Sequence, residues 1–373
     1  MDYIQYPLGL SLMGHDVYYF EDTMLYPVYQ ENETAWDDAS GVVNYLKETM
    51  EYFGLANRWA YRDIATGKCF GMSLEKVLDI CKTADIFINL SCSTVMRDEY
   101  YKIPNRVLVD TDPMFTQVQY YKEVQGPEET STQQMLKGHN YLFSFGENIG
   151  KPGCRIPVFD FDWKTTRQPV CIDLWSTGIF DQAVQTFTSV LNWSARKDLE
   201  YDNETWGQKD IEFMKYLELP LSIPDVRFEV VINPPTNTES SYDAGLIRSK
   251  KWNIIDPRQR VAKYNDYISF IKGSFAEFCI AKETYVKSYS GWFSCRSACY
   301  LAAGKPVVAQ ETGWSEYIPT GKGLLSFRDN NSAIECVEEI LRDSKKHTRA
   351  AKEIAIEYFD SKKVLNDLLD KLS

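Results

Sequence analysis

The stretch Lys282-Glu-Thr-Tyr-Val-Lys-Ser-Tyr-Ser-Gly-Trp-Phe-Ser-Cys-Arg-Ser-Ala-Cys-Tyr-Leu-Ala-Ala-Gly-Lys-Pro-Val-Val-Ala-Gln-Glu-Thr-Gly313 decides the fold. It reads as loop, helix, glycine stop, strand, loop. The helix is expected over 297–303, with Gly304 ending it. Pro306-Val-Val-Ala309 then opens a buried strand. Ser288, Ser290, Gly291 and Ser294 precede the helix. Small residues let the backbone amides of Ser290, Gly291, Trp292, Phe293 and Ser294 approach an anion. The positive end of the helix dipole favours the same ligand. Arg296 adds a planar fork of donors suited to phosphate. The plainer alternative is a capped helix with a surface arginine.

Working outward, the same alternation of short apolar strands and helices recurs on both sides. Ahead of the stretch lie strands at Asp85–Leu90, Arg106–Asp110 and Tyr141–Phe145, with a helix at Leu74–Cys81 capped by Ser73. Residues 150–170 change texture, with Pro152, Pro157 and Pro169, and read as a crossing between domains. The pattern then restarts. Strands are expected at Phe187–Trp193, Val226–Asn233, Gly273–Ile280 and Gly323–Phe327, and helices at Asp210–Leu217, Val261–Ser269 and from Asn331 onward. This is an α/β protein of two Rossmann-like domains with mostly parallel sheets, facing a cleft, and a helical tail. The expected division is 1–165, 166–345 and 346–373, with the final helices packing back on the first domain. One feature breaks the pattern. Gln5–Met13 reads as a helix stopped by Gly14, and Asp16–Phe20 as a strand. An α/β domain places a strand and a glycine-rich loop before that helix. Either the chain starts late, or another segment fills the position.

Composition narrows the class. The chain has 373 residues, which suits two domains, and 44% of them are apolar. The 41 basic against 53 acidic side chains leave a net charge of -12, which argues against a generic nucleic-acid coat. No apolar run approaches a membrane span, and the first residues lack a basic leader. Nine widely spaced cysteines form a poor disulfide framework, and with three scattered histidines they offer no zinc pattern, so a reduced, cytoplasmic protein is expected. There is neither GxGxxG nor GxxxxGK[ST], which disfavours a dinucleotide enzyme or P-loop NTPase.

Several phrases together resemble glycosyltransferases of the GT-B type, and more narrowly a bacterial branch of the group 1 glycosyltransferases. They are Gly14-His-Asp-Val17, Val109-Asp-Thr-Asp-Pro113, Phe145-Gly-Glu-Asn-Ile149, Gly207-Gln-Lys-Asp210, Ser290-Gly-Trp-Phe-Ser294 and Ala302-Ala-Gly-Lys-Pro-Val-Val308. Their order along nearly the whole chain carries the likeness. The resemblance implies transfer of a sugar from a nucleotide-sugar to a hydroxyl-bearing acceptor, without an obligatory metal or other cofactor. It places Lys209 and Arg296 near the diphosphate. It makes Glu311, Thr312 and Gly313 part of a sugar-facing loop. Many retaining members carry two glutamates eight residues apart, where this chain has Gly291 and Cys299.

Residue chemistry supplies further candidates. Asp110 and Asp112 follow a strand and could orient or deprotonate an acceptor hydroxyl. His15 could donate to acceptor or phosphate. Glu277 could hold a ribose, Lys282 a phosphate, and Asn192 could shape the phosphate loop after its strand. Tyr289, Trp292 and Trp314 are candidate stacking platforms. The alternatives are plain: an Asp-before-Pro turn for 112, an internal Glu277–Lys282 ion pair, a structural histidine, a solvated lysine. At the level of function, the competing readings are another sugar-nucleotide cleft enzyme and a catalytically impaired binding or assembly protein. Nucleic acid stands as an outside acceptor class.

Overall fold

The computed structural model describes residues 3–23, 38–124, 131–176, 185–194, 196–235 and 241–372, so parts of the expected division lie outside the described residues. Its strands are β1 Tyr19–Glu21, β2 Trp59–Arg62, β3 Cys69–Gly71, β4 Ile86–Leu90, β5 Asn105–Asp110, β6 Tyr141–Ser144, β7 Trp163–Thr165, β8 Thr186–Asn192, β9 Leu199–Tyr201, β10 Glu204–Trp206, β11 Arg227–Asn233, β12 Trp252–Ile255, β13 Ala276–Cys279, β14 Val307–Gln310 and β15 Leu324–Phe327.

The second half forms a six-stranded sheet in the order β12-β11-β8-β13-β14-β15. Every pairing in it is parallel. Its runs, such as Phe228-Glu-Val-Val-Ile232, are buried almost throughout, as expected of strands covered on both faces. Phe187, Phe213, Phe228, Trp252 and Phe278 fill one face. Ile271, Cys299, Leu301, Val307 and Leu324 fill the other. The sheet grows outward in both directions from β8, so the strand order reverses between β8 and β13. Parallel sheets of this kind open a crevice outside the carboxyl ends of the strands at that reversal.

In the first half, β4-β5-β6-β7 make a parallel four-stranded sheet. A separate three-stranded sheet pairs β1 with β2 in parallel and β2 with β3 antiparallel. Both arrangements together are the α/β architecture anticipated, with the carboxyl ends of β5 and β13 facing each other across a cleft. The tail consists of helices Asn330–Arg342, Ser344–Tyr358 and Ser361–Asp370. The last lays Leu365 and Leu368 against Tyr6, Val107 and Phe143 of the first half. Helix Gln5–Leu12 approaches it so closely that a Cβ on Gly9 would lie 2.7 Å from Leu365 Cδ1.

Boundaries shift from the sequence expectation by a few residues. The helix expected over 261–269 runs Tyr264–Gly273, and the strand expected over 273–280 is confined to Ala276–Cys279. The short strands β2, β3, β7 and β12 and the β9–β10 hairpin lack long apolar runs, which is why patterning passes over them.

Candidate functional site

At the reversal of the six-stranded sheet, four elements converge. β8 ends at Asn192, which is exposed. Helix Lys209–Lys215 starts with Lys209 buried. β13 carries Glu277, 1% exposed. Helix Cys295–Ala302 brings Arg296 and its N-cap Ser294. Apart from the exposed Asn192, these groups are polar and buried or half-buried. Among the described residues Lys209 has no ion-pair or hydrogen-bond partner. Neither carboxylate oxygen of Glu277 is hydrogen-bonded, nor are the Ser294 hydroxyl and the Gln208 side-chain amide. Arg296 Nε lies 3.9 Å from Glu277 Oε1. Burial, reinforced by the neighbouring Arg296 and Lys282 cations, pushes the Lys209 ammonium down to about 7. Burial raises Glu277, and the attraction of Arg296 opposes it. Buried polar groups are almost always paired in a finished interior, so this concentration marks a site shaped for something polar.

Arg296 also borders a cavity of about 200 Å³ between the two halves. Tyr45 of helix Ser40–Tyr52 faces Val190, Val261, Lys263, Tyr264 and Tyr267 of the second half there. Tyr45 and Tyr264 stack with centroids 5.8 Å apart, and Lys263 pairs with Glu48 at 3.3 Å. An aromatic pocket thus touches the cluster through Arg296.

A second group spans the cleft nearby. Lys282 Nζ donates to Asp112 Oδ1 at 2.6 Å, and the Tyr285 hydroxyl donates to the same oxygen. Arg196 approaches the other Asp112 oxygen at 3.8 Å. Burial would raise Asp112, yet Lys282, Tyr285 and Arg196 together hold it below the usual carboxylate range. Asp110 lies beneath it, 1% exposed. Asp110 accepts from Gln117 Nε2 at 2.9 Å and Thr116 Oγ1 at 3.1 Å. Burial raises its carboxyl to about 6, and the Asp112 charge adds to that. Lys282 is therefore matched across the domains with Asp112; the expected alternative pairing with Glu277 does not form.

The structure brings Asp110, Asp112 and Lys282 together, and likewise Lys209, Glu277, Ser294 and Arg296. His15 stands apart: it is exposed and borders a different cavity, with Asp16, Tyr6 and Leu10. The loop before helix Cys295–Ala302 is also less open than its small residues suggested. Gly291 N donates to Thr312 O at 2.7 Å and Trp292 N to Ser290 Oγ at 3.2 Å, while Ser290 O accepts from Asn148 N at 3.0 Å. Three of the amides expected to meet an anion, those of Ser290, Gly291 and Trp292, are thus engaged within the second half, while the Ser290 carbonyl joins it to Asn148; Phe293 and Ser294 lie next to the helix start. Gly291 adopts φ +75, and a Cβ there would lie 2.8 Å from Asn148 N, so this backbone excludes a glutamate. Cys299 is fully buried in the apolar core.

The expected sugar-facing loop is held by its own contacts. Glu311 Oε1 accepts from Gly313 N at 2.7 Å and Oε2 from Ser326 Oγ at 2.7 Å. Thr312 Oγ1 donates to Trp292 O at 2.6 Å, and Gly313 packs on Asn148. Two of the three expected stacking platforms, Trp292 and Trp314, are packed into the interior, while Tyr289 stays half-buried with its hydroxyl on Glu316. Trp314 is 1% exposed with its indole N–H on Gln310 O, and Trp292 is packed 4.4 Å from the Tyr285 ring. Tyr45, Tyr264, Tyr267, Tyr285, Gln208 and Arg196 were missed. With 24 tyrosines in the chain, composition offered no way to single out four. Gln208 adjoins Lys209 and was within reach.

No family model and no curated protein matches the chain. Solved structures do match, and they define the class: the fold is the GT-B fold of glycosyltransferases, two Rossmann-like domains with a helical tail. Among the individual matches, a glycosyltransferase from Rickettsia africae ESF-5 covers 100% of this chain and 93% of its own at 13% identity, with a TM-score of 0.53. Sucrose-phosphate synthase from Thermosynechococcus elongatus covers 99% and 92% at 11% identity, TM-score 0.52. An alpha-glucosyltransferase solved with UDP and a 13-mer DNA covers 80% and 82% at 13% identity, TM-score 0.53. The chain spans 60% of the length of TarM, another match. No helix among the described residues is long and apolar enough to cross a membrane.

Proposed function

We propose that the chain is a glycosyltransferase that moves a sugar from a nucleotide-sugar to a hydroxyl-bearing acceptor held in the cleft. The observation that carries this reading is the buried Lys209, unpartnered among the described residues, beside Arg296, which itself borders the tyrosine-lined cavity. A nucleoside diphosphate matches that sequence of chemistries. Its phosphates meet Lys209, Arg296 and the helix start at Ser294, and its base enters between Tyr45, Tyr264 and Tyr267. Departure of the diphosphate leaves negative charge, and fixed cations in a shielded site stabilise it without rearranging. Glu277, beneath Arg296, orients that cation. The GT-B matches solved with UDP support the donor class.

On the acceptor side, Asp112 is the carboxylate nearest the cleft. Tied to Lys282 and Tyr285, it orients a hydroxyl rather than serving as a strong base. Asp110 supports the loop that carries it. His15 belongs to the first domain's outer cavity and is left out of the chemistry. A reduced, cytoplasmic setting and a division near residue 165 remain part of the proposal.

Product analysis tests it. Incubation with a panel of nucleotide-sugars and hydroxyl acceptors should release nucleoside diphosphate in step with a glycosylated acceptor. Release that requires inorganic phosphate would make the chain a phosphorylase. Nucleotide binding without turnover across the panel would make it a binding protein.

A further inference from the structure

Gln208 precedes Lys209 at the strand-order reversal, and its side chain is 1% exposed. Neither its side-chain oxygen nor its side-chain nitrogen has a hydrogen-bond partner among the described residues. A buried amide left in this state is costly, because each unmet group has lost its water without a replacement. Local structure does not explain the residue. Gln208 is the N-cap of helix Lys209–Lys215, yet its side chain makes no capping bond, and serine, threonine, asparagine or aspartate would serve that position better. Nor is the loop free to turn. Glu283 Oε2 accepts from Gly207 N at 2.9 Å, and Thr284 Oγ1 donates to Gly207 O at 2.8 Å. Glu283 N donates to Gln208 O at 3.2 Å, and Thr284 N to Gly207 O at 3.1 Å. Four bonds thus fix the backbone that carries the amide, and the amide is held in place ahead of any partner.

The chemistry of the amide selects what completes it. It offers N–H donors at one atom and an acceptor at the other. An ionised phosphate only accepts, so a diphosphate leaves the Gln208 carbonyl unmet. A cation meets only the carbonyl. A hydroxyl group both donates and accepts, and satisfies both ends. A nucleotide-sugar carries hydroxyls on each side of its diphosphate, on the ribose and on the transferred sugar. We propose that Gln208 is a specificity residue for the donor, its amide hydrogen-bonding a hydroxyl of the ribose or of the transferred sugar. The inference rests on the nucleotide-sugar reading of the Lys209–Arg296 cluster. A site built to pair a hydroxyl rejects the analogue that lacks it, because the amide is then unpaired again.

Calorimetric titration of the wild type and Gln208→Met tests it. The probes are uridine, guanosine, adenosine and thymidine diphosphates, the 2′- and 3′-deoxy forms of the first three, and the glucose and N-acetylglucosamine esters of all four. Methionine keeps the length of the side chain and drops both hydrogen-bonding groups, so the unliganded variant should unfold at the wild-type temperature or above it. Its binding of the hydroxyl-bearing probe should fall at least about five-fold. A ribose contact shows as a loss on the plain diphosphate that disappears with one of its deoxy forms. A sugar contact shows as a loss on the esters alone. If Gln208→Met does not fold, Gln208→Ala takes its place in the same titrations. Equal binding of every probe by variant and wild type would overturn the inference. So would a loss of one size on ribose, deoxy and sugar-bearing probes alike, which marks a structural role. A wild type that binds none of the diphosphates would overturn the nucleotide reading itself, and this inference with it.

Discussion

Replacing Lys209 with methionine should stabilise the unliganded protein and abolish diphosphate binding. The unfolded chain keeps the lysine proton up to its usual 10.5, whereas burial brings the folded value down to about 7. Between those values the unfolded state binds more protons, so stability rises with pH. Below pH 7 both states are protonated and the full penalty of burying the charge is present. At 1.36 kcal/mol per pH unit, the fall from 10.5 to about 7 corresponds to a ceiling of about 5 kcal/mol at pH 6. By pH 9 the remaining ceiling is about 2 kcal/mol. Methionine keeps the stem volume, and imperfect repacking takes back part of the gain. A net gain of about 1–3 kcal/mol at pH 6 is expected, shrinking at pH 9. For domains of this size that is roughly 2–10 °C in Tm. Differential scanning of both proteins at the two pH values, with and without a nucleoside diphosphate, reads both effects. A variant that is less stable at pH 6, yet keeps the ligand-induced rise, would refute the reasoning.

Diphosphate binding to the wild type at pH 8 should take up between roughly half and one proton per site, because the anion restores the Lys209 charge; titration in buffers of differing ionisation enthalpy measures it. Asp112→Asn leaves Lys282 without its counter-charge in a closed contact and should cost about 2–4 kcal/mol in denaturant unfolding. The lowered Asp112 carboxyl stabilises the wild type above its unfolded value near 3.8, and that contribution disappears as pH falls through the folded value, so the variant's deficit should narrow in acid. Gly291→Ala combines a positive φ with a close approach to Asn148 N and should cost at least about 1–2 kcal/mol, measured by thermal unfolding.

How far the sequence spoke for itself can be judged residue by residue. Val226–Asn233 and Arg106–Asp110 announced buried parallel strands because each holds an uninterrupted apolar run of three, Val230–Ile232 and Val107–Val109, and they stand within a residue of where patterning put them. Gly304 follows its helix as read, and β14 opens at Val307, one residue after the Pro306 start expected. What stayed hidden depends on pairing across the fold. Asp112 meets Lys282, 170 positions away, and no local pattern encodes that choice. The serines and glycine before the helix looked open to an anion, but in the folded chain Ser290 and Gly291 face the 146–150 loop instead. The tyrosine cavity was invisible because aromatic residues are frequent everywhere in this chain.

The most direct measurement is a calorimetric titration of the wild type and Arg296→Ala with nucleoside diphosphates and the matching nucleosides. A diphosphate should bind the wild type, and Arg296→Ala should weaken it by about 1.5–3 kcal/mol, the range for a shielded charge-assisted contact. The nucleoside, lacking phosphates, should lose little. Ranking uridine, guanosine, thymidine and adenosine diphosphates in the same experiment identifies the donor base. A folded wild type that binds no diphosphate, or equal losses for nucleoside and diphosphate, would contradict the assignment of the Lys209–Arg296 cluster to a nucleotide-sugar.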